Sequence, residues 1–418
     1  MNIVIISDFA FVEGGASKVA LSSARALAMS GHRVILFTAV GPIAPEIQHI
    51  EGLEVHCLHQ HEILKDPNPT RAAAVGIWNW RSAEAFKVLL MKLSPESTVV
   101  HLHTWTKGHS ASVIRVAERH GFQVVLTLHD YFSACPNGGF FLYPKQQICQ
   151  LHPMSVECIS TQCDSRNYAY KLWRVGRQFV QSHIGGIPSS IQHFISISDR
   201  SENILRPYLP TGALMHRIPN PINLERAAPC DPSSHDRFCF VGRLAPEKGP
   251  ALLASCAAGG DLDVVFVGEG PERAHLIRVA PQVEITGWLP PEMVKQTMQT
   301  CRALVFPSLW YETQGLAVAE AAAIGLPTIV SSSTAAVEWV DDGVTGLIFE
   351  HGNAKDLSEK LRWMQSHGIL AADMGLRAYQ RYWNSPATME RHCQALEQVY
   401  SEMLAGCDDD ATNRNSHA

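Results

Sequence analysis

An apolar run at residues 2–7, Asn-Ile-Val-Ile-Ile-Ser, opens the chain and predicts a strand buried on both faces. Gly14 and Gly15 interrupt the pattern. From residue 16 to 29 the spacing becomes helical. Val19, Ala20, Leu27 and Ala28 share one face, and Ser22, Ser23 and Arg25 lie off it. Gly31 is a helix stop, and residues 33–38 are the next apolar run. This is a strand–helix–strand unit. Residues 98–102, 123–128 and 194–197 read as further strands, and 109–119 as a helix. Alternation of this kind predicts a parallel sheet covered on both faces.

A second series follows residues 207–232, a segment holding Pro207, Pro210, Pro219, Pro221, Pro229 and Pro232, which reads as a connection between domains. Its strands are predicted at 237–241, 263–267, 283–286, 303–306, 326–331 and 346–350, with helical stretches between them. The fold class is therefore α/β, with two doubly wound domains. The boundaries are placed at 1–215 and 216–385. An amphipathic helix within 386–408 and a polar, frayed tail at 409–418 complete the chain.

Composition narrows the function classes. The 418 residues contain 46% hydrophobic and 18% charged positions, enough apolar material for full cores. The 34 Lys+Arg against 40 Asp+Glu leave a net charge of -6, without the basic excess of a duplex nucleic-acid binder. Eleven cysteines in a long chain exclude a small disulfide scaffold. Asp8 and Glu13 interrupt the first apolar run, so it does not read as a signal peptide, and no apolar stretch is long enough for a membrane span. A cytoplasmic location is expected.

The chemistry concentrates after the strand at 303–306. There Ser308-Leu-Trp-Tyr-Glu312-Thr-Gln-Gly315 leads into Leu316-Ala-Val-Ala-Glu320-Ala-Ala-Ala-Ile-Gly325. Thr313 is the expected cap of a helix running to residue 324, with Gly325 as its stop. Free N–H groups at the start of such a helix favour an anion, and open α/β sheets bind ligands at their strands' carboxyl ends. Glu312 would stand just before the helix and Glu320 about two turns in. Two carboxylates so placed suit the hydroxyls of a sugar or ribose, because ionised carboxylates only accept hydrogen bonds. Arg243 and Lys248 follow another strand end and offer a fork and a point charge to phosphates. The plain alternative is a solvated loop with Lys248 paired to Glu247.

Glu312 and Glu320 resemble the Glu-x7-Glu motif of the retaining glycosyltransferases of family 4, enzymes of GT-B fold that use nucleotide sugars. Gly242-Arg243-Leu…Glu247-Lys248-Gly249, Gly268-Glu-Gly270, Gly287-Trp-Leu, Pro219-Asn220-Pro and Gly14-Gly15 resemble that family's other segments, in order along the chain. The resemblance implies two Rossmann-like domains facing a central cleft, with the acceptor on the first and the nucleotide sugar on the second. It implies that the last helix returns to the first domain. It assigns Arg243 and Lys248 to the diphosphate, Glu320 to the ribose, Glu312 to the donor sugar, and the N–H groups of Gly315 and Leu316 to the sugar or distal phosphate. Gly14 and Gly15 would admit the diphosphate without a side chain in the way.

Residues 123–128 deliver His129 and Asp130 to a strand's carboxyl end. The resemblance places His129 beside the donor sugar's reacting carbon, with front-face attack and retention of configuration. Asp130 is the second candidate for a base. Ser198 and Asn220 either line the cleft or serve as cap and turn residues. The implied reaction moves a hexose-type sugar from a nucleotide-diphosphate sugar to a hydroxyl of a glycan or lipid-linked glycan acceptor, in polysaccharide or glycoconjugate biosynthesis. An epimerase of the same fold and a non-catalytic nucleotide-binding partner are the alternatives. A dehydrogenase is disfavoured, since Glu13-Gly-Gly-Ala-Ser-Lys lacks the Gly-x-Gly-x-x-Gly fingerprint. No cofactor is expected, no catalytic metal is needed where Arg243, Lys248 and a helix terminus neutralise the diphosphate, and the lack of a basic excess disfavours nucleic acid. Asp408-Asp-Asp410 reads as solvated charge.

Two features stay open. Cys135, Cys149, Cys158 and Cys163 either are reduced buried thiols or form a structural zinc cage, and the lack of a Cys-x-x-Cys pair favours the thiols. Arg166, Lys171, Arg174 and Arg177 share a helical stretch with Tyr170, Trp173 and Phe179. A basic face beside an aromatic one suits peripheral contact with the inner membrane face, and the alternative is a core-packed helix with solvated arginines.

Overall fold

In the computed structural model, which describes residues 1–258 and 262–415, with 406–415 by backbone alone, the chain forms two compact units. One comprises Met1–Gly138, Leu151–Pro221 and the segment from Met389 onward; the other comprises Gly139–Gln150 and Ile222–Thr388. The strands in chain order begin with β1 (Asn2–Phe9), β2 (Arg33–Val40), β3 (Leu53–Cys57), β4 (Thr98–Leu102) and β5 (Gln123–Thr127). The hairpin β6 (Phe141–Leu142) and β7 (Gln147–Ile148) follows, then β8 (His193–Ser196) and β9 (Leu214–Arg217). The remainder are β10 (Phe238–Val241), β11 (Val264–Val267), β12 (Glu284–Gly287), β13 (Ala303–Phe306), β14 (Thr328–Ser331) and β15 (Gly346–Phe349).

The first unit's sheet has the order β3-β2-β1-β4-β5-β8-β9, and the second's the order β12-β11-β10-β13-β14-β15. Every neighbouring pair in both sheets is parallel. The α/β, doubly wound expectation is met in each unit. The order reverses between β1 and β4 and again between β10 and β13, and such switch points open a crevice at the strands' carboxyl ends. Central strands are shut off on both faces. Ile3, Ile5, Val34, Leu36 and Val99 lie in the first unit's core, and Phe238, Phe266, Val305 and Ile329 in the second's.

Several boundaries differ from the expectation, each for a local reason. The helix foreseen at 109–119 is Ser112–Arg119. The Asp8 carboxylate accepts the N–H groups of Lys107, Gly108 and His109, and Ser110 turns through φ 77, so the chain is committed elsewhere before the helix starts. The proline-rich segment is not all connection, because β9 lies within it and pairs with β8. A division after residue 215 would cut β9, and the units part at Pro221 and Ile222.

The last helix, Met389–Asn415, sinks Cys393, Leu396, Val399, Tyr400 and Met403 into the first unit's core. Its backbone continues past residue 408, where a frayed tail was foreseen, since extending a formed helix requires no apolar face. Residues 416–418 and the Asp408–Asp410 side chains lie outside what is described. Among the described residues, no helix is long and apolar enough to cross a membrane.

Candidate functional site

The second unit gathers its charged side chains at the β10/β13 switch point. Past β10, the chain turns at Gly242 and Gly249. A Cβ on Gly249 would come within 2.1 Å of the Pro307 carbonyl oxygen, so only glycine lets this loop close on the end of β13. Lys248 is thereby delivered to Glu312. Its Nζ donates to Glu312 Oε2 at 2.6 Å. The same oxygen accepts from Trp310 Nε1 at 3.0 Å and Ser308 Oγ at 3.4 Å. The Lys248 ammonium also stands 5.2 Å from the Trp310 ring centroid.

Glu247 does not hold Lys248. It is buried and accepts from Arg243, whose own side chain is 65% exposed and remains open to other partners. Arg243 and Lys248 therefore differ in setting. One is anchored at its base by a buried carboxylate, and the other is half-buried against a carboxylate and an indole.

The cap is not Thr313. The helix is Leu316–Ile324 and Gly315 caps it with φ 79 and ψ 58. Any Cβ on Gly315 would lie 2.6 Å from Ala336 Cβ, so shape and backbone angle both require glycine. The first intrahelical bond runs from Val318 N–H to the Gly315 carbonyl, and the N–H groups of Leu316 and Ala317 precede it. Gly325 ends the helix at φ 81, as anticipated. With the later start, Glu320 sits little more than one turn in, rather than two. It is half-buried, and its charge, after burial itself, helps push the Tyr382 phenol up to about 12.

The first unit carries a histidine cluster. His101 and His103 lie two positions apart at the end of β4, so both rings fall on one side, with centroids 4.1 Å apart. His101 bonds Tyr400 Oη through Nδ1 at 2.6 Å and Thr127 Oγ1 through Nε2 at 2.7 Å. His103 Nδ1 lies 2.9 Å from His129 Nε2 just past β5. His392, from the last helix, bonds Ser23 Oγ and the Pro219 carbonyl. His129 retains some exposed surface but is surrounded by protein atoms. Burial, and then the nearby His392, depress its pKa to about 3, which leaves a neutral imidazole at neutral pH. Asp130 moves the other way. Burial raises it to about 6, against the Phe132 N–H bond and the Arg177 charge.

The other expected residues lie around this end of the first sheet. Gly14 caps the first helix and Gly15 opens it, both exposed, with open space where a Gly14 side chain would stand. Ser198 is a helix cap, its Oγ accepting the Ser201 N–H at 2.9 Å, and it is buried. Asn220 is buried beside the last strand of the unit. Tyr400, His392, Trp310 and Ser308 were not singled out from sequence, and the first two reach the cluster only through the chain's return.

Two open features take a definite form. Lys171 Nζ lies 3.4 Å from Cys158 Sγ and 3.3 Å from Cys163 Sγ, so an ammonium stands where a zinc cage needs a cation of its own. Cys149 belongs to the other unit, and among the described residues no three metal-ligating side chains are arranged to hold a metal. Of the four basic residues expected on one face, two turn inward in the Tyr168–His183 helix. Lys171 and Arg177 are buried and Arg174 is paired to Asp164 at 2.5 Å. Tyr168, Tyr170, Leu172 and Phe179 face outward, and just before the helix the exposed Arg166 lies 4.6 Å from the Tyr170 ring centroid.

Comparison with known proteins agrees in both halves. Residues 13–226 match the profile described as Glycosyltransferase Family 4, and 225–381 that described as Glycosyl transferases group 1. A GDP-mannose-dependent alpha-mannosyltransferase of Corynebacterium glutamicum is 31% identical over 180 residues, 42% of each chain. The chain thus spans less than half the length of that relative. A D-inositol 3-phosphate glycosyltransferase of Corynebacterium aurimucosum is 24% identical over 94% of this chain and 92% of its own. In fold, sucrose-phosphate synthase of Thermosynechococcus elongatus superposes with TM-score 0.72 at 20% identity over 97% of this chain and 99% of its own. HepE of Anabaena, solved with UDP-glucose, does so with TM-score 0.65 at 16% identity over 96% and 100%. The two parallel-sheet units are those of the GT-B fold.

Proposed function

The chain belongs to glycosyltransferase family 4, and from that premise we propose that it moves a hexose-type sugar from a nucleotide-diphosphate sugar to a hydroxyl of a glycan or lipid-linked glycan, with retention at the anomeric carbon. The observation that carries this reading is the Lys248–Glu312 pair at the β10/β13 switch point, beside a helix that opens on Gly315.

In this reading the diphosphate displaces Glu312 from Lys248 and takes Lys248 and Arg243 as its cations. Glu312 then accepts from the sugar's hydroxyls and Glu320 from the ribose. As the anomeric C–O bond breaks, negative charge grows on the leaving phosphate, where Lys248, Arg243 and the first-turn N–H groups are already oriented. That phosphate takes the acceptor hydroxyl's proton during front-face attack. His129 orients sugar and acceptor as a neutral imidazole, and Asp130 is the second candidate for a base. Gly14 and Gly15 leave the first loop bare for the diphosphate. No cofactor or metal is required.

The test is a panel of nucleotide sugars read by thermal shift, then by transfer to glycan acceptors. GDP-mannose comes first, since several matched relatives are named for it, and UDP sugars second. Binding of a nucleotide sugar followed by a product of unchanged anomeric configuration is expected. Failure of every nucleotide sugar to bind, or conversion of the donor to its epimer without an acceptor, overturns the proposal.

A further inference from the structure

Lys171 is 1% exposed, yet its hydrogen-bond partners are two thiols. The carboxylate next to Cys163 does not serve it, because Asp164 is engaged by Arg174 and by the Arg166 N–H. A buried ammonium normally finds a carboxylate or shifts toward the neutral amine. Here a primary amine and the Cys158 and Cys163 sulfurs are held at 3.3–3.4 Å, all nearly inaccessible to water. Cys135, Cys158 and Cys163 are buried thiols, not disulfides. An amine and a thiol in lasting contact, screened from competing nucleophiles, are the two halves of an oxidative cross-link.

We propose that Lys171 and Cys163, the nearer sulfur, form an N–O–S bridge with dioxygen as oxidant. One amine N–H bond and the S–H bond break, and N–O and O–S bonds form. Dioxygen is cleaved, one oxygen becoming the bridge and the other leaving as water with the two hydrogens. Nitrogen and sulfur each give up two electrons, and the four reduce dioxygen completely. A thiol reductant reverses the change, restoring amine and thiol and releasing the bridging oxygen as water.

The bridge would tie the segment before residue 164 to the Tyr168–His183 helix. That helix also holds the stretch after His129 and Asp130. Gln181 Nε2 donates to the Phe132 carbonyl at 2.8 Å, and Arg177 Nη2 to the Pro136 carbonyl at 3.2 Å. The site is a modification of the first unit and does not depend on the proposed reaction.

Mass spectrometry of the whole protein, purified in air without reductant, tests the proposal. Trypsin cuts after Lys145, Arg166 and Arg174, and it cannot cut after Lys171 once that amine is substituted. The expected species joins peptide 146–166 to peptide 167–174, with one oxygen gained and two hydrogens lost. Dithiothreitol separates the two and restores cleavage at Lys171. Cys163→Ser and Lys171→Met lose the species, and Cys158→Ser keeps it. The wild-type measurement stands even if a variant fails to fold. A Cys158–Cys163 disulfide, oxygen added to one cysteine alone, a link to Cys158, co-purifying zinc that Cys163→Ser releases, or an unmodified chain after air and peroxide each overturns it.

Discussion

Glu312 Oε2 accepts three hydrogen bonds at once, and the shortest, 2.6 Å, comes from Lys248, 64 positions away in sequence. The cation assigned to phosphate and the carboxylate assigned to sugar thus hold each other in place. Both lie partly screened from water, so each loses a partner if the other is removed. Replacing Lys248 by Met is expected to lower transfer by about 100-fold or more, the scale of losing one transition-state charge partner. Glu312→Gln should do likewise. The double variant should lose much less than the product of the two, because the residues act as a unit. Full multiplicative loss in a kcat/KM cycle would show that the contact plays no part in turnover.

Gly315 caps the helix of the same site. Alanine there meets a left-handed backbone and a Cβ contact of 2.6 Å with Ala336. The backbone term alone is about 1–2 kcal/mol, and the contact adds to it. Gly315→Ala should lower the melting temperature and also weaken donor binding, since relief of the clash moves the first-turn N–H groups. Gly14→Ala is the contrast, with extended backbone and open space, and it should lower the melting temperature less, by no more than the loss of a glycine helix cap.

How much of this was legible depends on where each element sits. β4 and β13 were read residue for residue, because a strand buried on both faces is a continuous apolar run. The edge strand β3 was not predicted, and β9 was folded into a proline-rich connection. Leu53-Glu-Val-His-Cys and Leu214-Met-His-Arg keep one side toward solvent, and neither is a run. The carboxylates and cations of the second unit were visible by type and spacing. Their pairing was not. Glu247 is adjacent to Lys248 in sequence but points to Arg243, and Thr313 has the better capping side chain, whereas packing against Ala336 gives the cap to Gly315. His101 and Tyr400 are 299 positions apart, and no local pattern announces such a contact.

Tyr400 fastens the last helix to the first sheet. Its hydroxyl is fully buried, 2.6 Å from His101 Nδ1. Tyr400→Phe keeps the ring and leaves that nitrogen without its partner. The expected cost is about 1–3 kcal/mol, the penalty for an unsatisfied buried polar atom. Urea unfolding should show a lower midpoint with an unchanged slope. An unchanged midpoint would mean that the hydrogen bond contributes nothing net.

Acid should unfold the first unit early. Burial depresses His101 and His103 well below 6.5, His129 to about 3 and His392 to about 4. Above pH 6.5 these histidines are neutral in both folded and unfolded chains and contribute no pH dependence. As the pH falls below 6.5 the unfolded chain binds protons that the folded chain refuses, so stability declines, by about 1.4 kcal/mol per pH unit for each such histidine. Asp130 opposes this between about pH 6 and 3.8, where the folded chain binds a proton that the unfolded chain does not, and burial raises Glu118 in the same sense, but burial also depresses His109, His193 and His216, so the histidines outnumber the carboxyls. Urea midpoints measured from pH 7.5 to 4.5 should therefore hold level down to about 6.5 and then drop steeply. His392→Gln should make the drop shallower by one proton's worth, and Asp130→Asn should make it steeper. A midpoint that stays level to pH 4.5 would require the four histidines to be charged in the folded protein.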